Sequence, residues 1–207
     1  PWVSVGVFLW FVIAYFFNTR MIQKATGSVA LERKENMRVY NLAENLCISC
    51  GMAMPKVNLI DDDSLNAFAS GINDRSYAIS LSSGIINKLD DDELEGVLAH
   101  ELTHIRNRDV RLLIISIIFV GIFSFIAEMA FRGIRLAGGR KSDKDGKGSG
   151  AIILIVIAIT AVAYLISILL RFGISRKREY LADAGAAEIT KKPYALASAL
   201  RKISGDP

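Results

Sequence analysis

Three uncharged, apolar runs divide this chain into soluble and membrane-type stretches: Trp2 to Phe17, Leu112 to Ala127 and Ala151 to Leu170. The last is unbroken over a length that can cross a bilayer as a helix, and all three are expected to be membrane helices or membrane segments. Between them the pattern changes. From Ser28 to about Cys50, Val29, Leu31, Val39, Leu42 and Leu46 recur among charges, which predicts an amphipathic helix closed by Gly51 and Pro55. Short runs at Lys56–Ile60, Asn66–Ser70 and Tyr77–Leu81 are separated by Asp, Ser, Gly and Asn and read as strands of a small sheet. Asp90 and Glu93 have the spacing of a capping box, with further acids at Asp91 and Asp92, so a helix is expected to start there. No Pro or Gly occurs between Val97 and Val120, and that helix is expected to run on unbroken into the apolar run at 112. Gly96 leaves room for another element to approach. An amphipathic segment from Tyr194 to Ile203 ends the pattern.

The expected fold is α+β and mostly α: membrane helices plus a small helical domain whose short sheet contains an edge strand. Residues 1–19 form a membrane helix and 20–111 the first part of the soluble domain. Residues 112–174 hold two apolar segments around a polar loop at about 132–150, and 175–207 complete the soluble domain. The chain opens at Pro1 rather than Met, so a preceding piece is expected.

Composition agrees with this division. The chain has 207 residues, 52% hydrophobic and 22% charged, and its mean hydropathy of +0.34 is high for so charged a sequence. The net charge of +4 is too small to argue for nucleic acid, and no nucleotide-binding glycine motif is present. Basic residues flank the apolar runs instead, where a lipid bilayer attracts them. Cys47 and Cys50 have CxxC spacing, but there is no second pair, so two reduced thiols are expected.

The candidate chemistry sits in His100-Glu101-Leu102-Thr103-His104, which contains both histidines of the chain. Residues i and i+4 share a helix face, so both imidazoles can reach one metal ion. The intervening glutamate stands where its carboxylate can hold a water on that ion. This is the HExxH pattern of zinc proteases. Two histidines need a third protein ligand, with the fourth position left open. Glu179 is the candidate, with Asp183 one turn further on the same face.

At this point HELTHIRNRDV (100–110), EYLADAGAA (179–187) and LNAFASG (65–71) together resemble the HtpX family of membrane zinc metallopeptidases. Prenyl-protein (CAAX-type) endopeptidases are more distant relatives. The resemblance implies one zinc ion per chain held by His100, His104 and Glu179, with Glu101 as the catalytic base and acid. It implies that Asp183 orients a ligand histidine, and that Asn66, Ala67, Phe68 and Ala69 form an edge strand which binds extended substrate. The implied function is zinc-dependent endopeptidase cleavage of damaged or misfolded membrane proteins or unfolded polypeptides, as quality control. The alternatives are a prenyl-protein endopeptidase and a non-catalytic zinc-binding scaffold. The implied location is a bacterial-type cytoplasmic (inner) membrane, multi-pass, with the site facing the cytoplasm. Both histidines are assigned to the metal, so the oxyanion donor must be a Tyr, Arg, Asn or backbone N–H; Asn107, Arg176, Arg178 and Tyr180 lie near the motifs.

For His104 and Glu179 to meet, the two apolar runs between them must cross an even number of times. A continuous helix places Leu112 about 12 Å beyond His104, and Glu179 about 13 Å beyond Leu170, so both half-sites would stand at one height. The intervening loop is basic, however, through Arg132, Arg135, Arg140, Lys141, Lys144 and Lys147, which opposes an outside location. The hairpin either dips in or holds its loop outside at some cost, and labelling a single cysteine placed in the 132–150 loop with an impermeant thiol reagent decides between them. Reaction only from the cytoplasmic side would exclude a full hairpin.

Overall fold

In the computed structural model, residues 21–116 and 147–205 are described, together with the isolated positions Leu9, Ile13, Gly121 and Phe125. The chain divides into two compact units, one of Pro1–Tyr15 and Ile115–Ser175, the other of Phe16–Ile114 and Arg176–Pro207. The described residues of the first unit include much of a helix, Lys147–Thr190, which continues into the second. The expected membrane helix at 1–19 and most of the run from 112 to 127 lie outside the described residues. Among those described, no helix is long and apolar enough to cross a membrane.

The second unit carries a four-stranded mixed sheet and the helices around it. Its strands are β1 (Val29–Ala30), β2 (Lys56–Ile60), β3 (Ala67–Ser70) and β4 (Ala78–Ser82), in spatial order β1-β2-β4-β3. The central pair β2–β4 is parallel, and the outer pairs are antiparallel. Every residue of β4 is buried, as expected of a strand with neighbours on both sides. The three expected strands are therefore present, with boundaries moved by a residue at most.

The first helix is shorter than expected. The predicted element from Ser28 splits, because Val29 and Ala30 pair with Leu59 and Asn58 as β1. Helix α1 (Met37–Cys50) starts only after Asn36, whose side chain accepts the Val39 N–H at 3.1 Å. Helix α2 (Ser83–Lys88) follows β4 directly, and Arg38 ties it to α1. The Arg38 guanidinium donates to the carbonyls of Ile86 (2.8 Å) and Leu89 (2.7 Å) and meets Asp91 at 2.5 Å. Cys47 and Cys50 are free thiols; burial pushes Cys47 up to about 11, so it stays protonated and unreactive at neutral pH.

Helix α3 (Asp91–Arg106) holds the HExxH segment. Its capping box is formed in both directions, Glu93 N–H to Asp90 (2.9 Å) and Asp90 N–H to Glu93 (3.0 Å). It does not run on into the apolar run. It ends at Arg106; Asn107 caps it, and Arg108 takes a left-handed φ of 60° before helical geometry resumes over 109–116. A side chain in that region costs about 1–3 kcal/mol, which is why no Gly or Pro announces the corner. The premise of one straight helix from His104 to Leu112 therefore falls, and with it the equal-height estimate.

The second unit also holds the end of α4, the Lys147–Thr190 helix, from Arg176 on, and α5 (Pro193–Ser204). Helix α5 packs on α3 where Gly96 has no side chain; a Cβ there would lie 3.1 Å from the Leu196 backbone. A polar clamp holds the same contact. The Glu93 carboxylate, only 4% exposed, accepts from Lys202 Nζ (2.6 Å) and Ser198 Oγ (2.7 Å). Burial disfavours the Glu93 charge, but these donors and the Asp90 N–H outweigh it and hold its pKa below the usual 4.5. A lowered folded-state value contributes stability above pH 4.5 that is lost as pH falls through the lowered pKa. Lys202→Met is expected to lower stability by about 1–3 kcal/mol at neutral pH, with the deficit shrinking below pH 4.5, as read from urea titrations at both pH values.

Candidate active site

The structure brings both halves of the proposed site together within the second unit. His100 and His104 project from one face of α3 with ring centroids 4.7 Å apart. Their Nε2 atoms face each other at 3.1 Å, and Glu179 Oε2 of α4 lies 3.5 Å and 3.8 Å from them. These three residues form a group able to hold a metal ion. A tetrahedral zinc ion with bonds of about 2.0–2.1 Å sets its ligand atoms roughly 3.3 Å apart, so the triangle fits such an ion. Two imidazole nitrogens facing each other in a buried place also need a shared proton or cation between them. Burial, then the neighbouring His104, push His100 below its usual pKa, partly countered by Asp183 and Glu179. The neutral imidazole this favours is the ligating form. The histidine side chains are 15% and 14% exposed and Glu179 57%, so the site opens on the Glu179 side.

Asp183, expected to orient a ligand histidine, lies beside His100. Its Oδ1 is 2.9 Å from His100 Nδ1, yet off the ring N–H direction, so the nitrogen has no aligned hydrogen bond. Asp183 is 42% exposed and free to turn into line. It makes no salt bridge with Arg178, which pairs instead with Asp109. Asp109 escaped the sequence reading: its Oδ2 is 3.2 Å from His104 Nδ1. On an unbroken helix it would sit roughly 140° round from His104, and only the corner at Arg108 brings it back.

The separation of α3 and α4 is set by a second residue the sequence did not flag. A Cβ on Gly185 would lie 2.5 Å from Thr103 Cγ2 and 2.9 Å from Thr103 Oγ1. Thr103 is itself fixed, its hydroxyl donating to the Ala99 carbonyl at 2.8 Å. This contact lets Glu179 and Asp183 reach the histidine face.

Glu101 is held between the ligands and the sheet. Burial pushes its carboxyl up to about 8, opposed by a hydrogen bond from the Ala69 N–H and reinforced by the charge of Glu179. A cation at the three ligands would draw that value down again. The donor identifies which edge of β3 is involved. The Ser82 N–H bonds the Asn66 carbonyl at 3.0 Å, and Ala67 pairs with Leu81. By antiparallel alternation Phe68 and Ser70 bond to β4, while Ala67 and Ala69 point their N–H and C=O groups to the free edge. Asn66 precedes the strand, its N–H donating to Ser82 Oγ at 3.0 Å. Of the four oxyanion candidates, Arg178 is engaged by Asp109, and Tyr180 is 73% exposed.

Comparison with known proteins agrees with this geometry. Residues 33–206 match Peptidase family M48. The chain is 63% identical over 209 residues to a protein named Protease HtpX homolog from Bacteroides fragilis (strain YCH46), covering 100% of this chain and 65% of that relative. It is 35% identical over 204 residues to the Protease HtpX homolog of Ligilactobacillus salivarius (strain UCC118), covering 98% of this chain and 69% of the relative. A crystal structure of S. mikatae Ste24p shares the fold, with a TM-score of 0.63 at 19% identity, covering 98% of this chain and 51% of that one. The chain thus spans about two thirds of the length of the curated relatives it matches.

Adding a methyl group at Gly185 is expected to push α4 away from α3 and weaken metal binding. Gly185→Ala should destabilise by about 1–3 kcal/mol and lower zinc affinity in a chelator competition. Adding Thr103→Ala should restore part of that affinity; no recovery would show that this contact does not set the helix separation.

Proposed function

Because this chain belongs to peptidase family M48, in the HtpX family of zinc metallopeptidases, we propose that it is an integral-membrane zinc endopeptidase acting on damaged or misfolded membrane proteins. The observation that carries this is the triangle of His100 Nε2, His104 Nε2 and Glu179 Oε2 with Glu101 beside it. The 63% identity to HtpX homologues supports this reading over that of a prenyl-protein endopeptidase. The uncharged run from Ala151 to Leu170 supports membrane attachment, and the basic residues Arg20, Lys24, Arg33, Lys34 and Arg38 after the first apolar run support a site facing the cytoplasm.

His100, His104 and Glu179 would hold the ion in this reading. Bound zinc supplies a Lewis acid for the scissile carbonyl and lowers the pKa of a water molecule. Glu101 would take a proton from the attacking water and return it to the leaving amine, a role suited to a carboxyl next to His100. Asp183 turns His100 toward the ion. The free edge of β3 receives an extended peptide through the Ala67 amide and carbonyl and the Ala69 carbonyl. These are backbone contacts, so they grip substrate with little regard for its side chains.

Glu101→Gln is expected to retain zinc while casein cleavage by the purified full-length protein in detergent drops by about 10²–10⁴. Cleavage by the parent should stop with a chelator and return with zinc. Proteolysis at the parent's rate in Glu101→Gln would sink the assigned role. Cleavage confined to a prenylated peptide would move the protein to the alternative class.

A further inference from the structure

Each ligand histidine has its own carboxylate, but the two carboxylates are held very differently. Asp183, behind His100, is 42% exposed. Asp109, behind His104, is 14% exposed, and both of its carboxylate oxygens are engaged. Oδ2 lies 3.2 Å from His104 Nδ1, and Oδ1 lies 3.3 Å from Arg178 Nε. Arg178 Nη1 also donates to the Asp109 backbone carbonyl at 3.5 Å, and its side chain is 18% exposed. Arg178 directly precedes Glu179. A chain of contacts therefore runs from the second ligand to the third without passing through a metal: His104, Asp109, Arg178 and then the peptide bond to Glu179. The left-handed turn at Arg108 puts Asp109 at the start of that chain.

We propose that Asp109 is a positioning residue for the metal ligand His104, braced by Arg178 so that the HExxH helix and the Glu179 helix are held in ligand register before the ion arrives. Once Nε2 of His104 is directed at a metal, Nδ1 carries the ring hydrogen and donates it to Asp109, which fixes the tautomer and the ring plane. The competing reading is an ion pair that only staples the corner after Arg106. It predicts a loss of stability with no change in how the folded protein holds metal. The proposal rests on the zinc-site reading given above.

The test uses purified full-length protein in detergent, with zinc affinity read by competition with a chromophoric chelator and the ligand field read from the visible bands of the cobalt-substituted protein. Asp109→Asn is expected to lower zinc affinity about 10–100-fold and to shift the cobalt bands. Arg178→Gln should act in the same direction. Combined with Asp109→Asn, it should add less than about two-fold, because both act through one chain of contacts. Asp109→Glu, which keeps the carboxylate, should recover part of the affinity. Both single variants holding zinc within about two-fold of the parent, with unchanged cobalt bands, would overturn the proposal. His104→Ala separates this failure from that of the zinc reading: a parent that binds no more zinc than His104→Ala overturns both. A parent that binds well beside an unaffected Asp109→Asn overturns the positioning role alone.

Discussion

The site depends on how closely α4 lies against α3. The histidines are four residues apart on one helix and would face each other in any fold that kept that helix intact. Glu179 comes from a distant stretch of chain, and six residues on along its helix Gly185 sits against Thr103 with no room for a methyl group. The other contacts of the unit fix the same helix from its remaining sides. Helix α5 packs on α3 at Gly96 and holds the buried Glu93 with Lys202, and Arg38 ties α1 to the start of α3 through Asp91. Packing positions the HExxH helix, and the chemistry uses that position.

Charge at the site follows from unequal burial. The histidines and Asp109 are nearly enclosed, while Glu179 is more than half exposed. Burial, with His104 beside it, pushes His100 below its usual pKa, and burial pushes Glu101 up to about 8. The exposed Glu179 marks the side of the cluster that is open to solvent. Acidic and basic groups in direct contact thus differ in behaviour because their access to water differs.

Where local physics decides the structure, it was legible in the sequence. The capping box at Asp90 and Glu93, the strands alternating with turn residues, and the i, i+4 histidines each depend on neighbours within a few residues. Three features were not. The corner after Arg106 uses a left-handed arginine, a conformation its residue type disfavours and only surrounding contacts sustain. Asp109 follows from that corner, so a helix assumed to be continuous pointed it away from His104. Val29 and Ala30 fit an amphipathic helical pattern by composition, but pairing with β2 overrides it. The significance of Gly185 is likewise invisible without the neighbour it admits.

The bond between Glu101 and the Ala69 amide also bears on self-association. An exposed strand edge invites pairing with any other edge, including that of a second copy of the same chain. The edge of β3 is four residues long, and only Ala67 and Ala69 turn their backbone groups outward. The Glu101 carboxylate faces the Ala69 amide there, so a partner strand finds a short and partly occupied edge. A foreign edge strand meets only two outward-facing residues there, which limits edge-to-edge pairing.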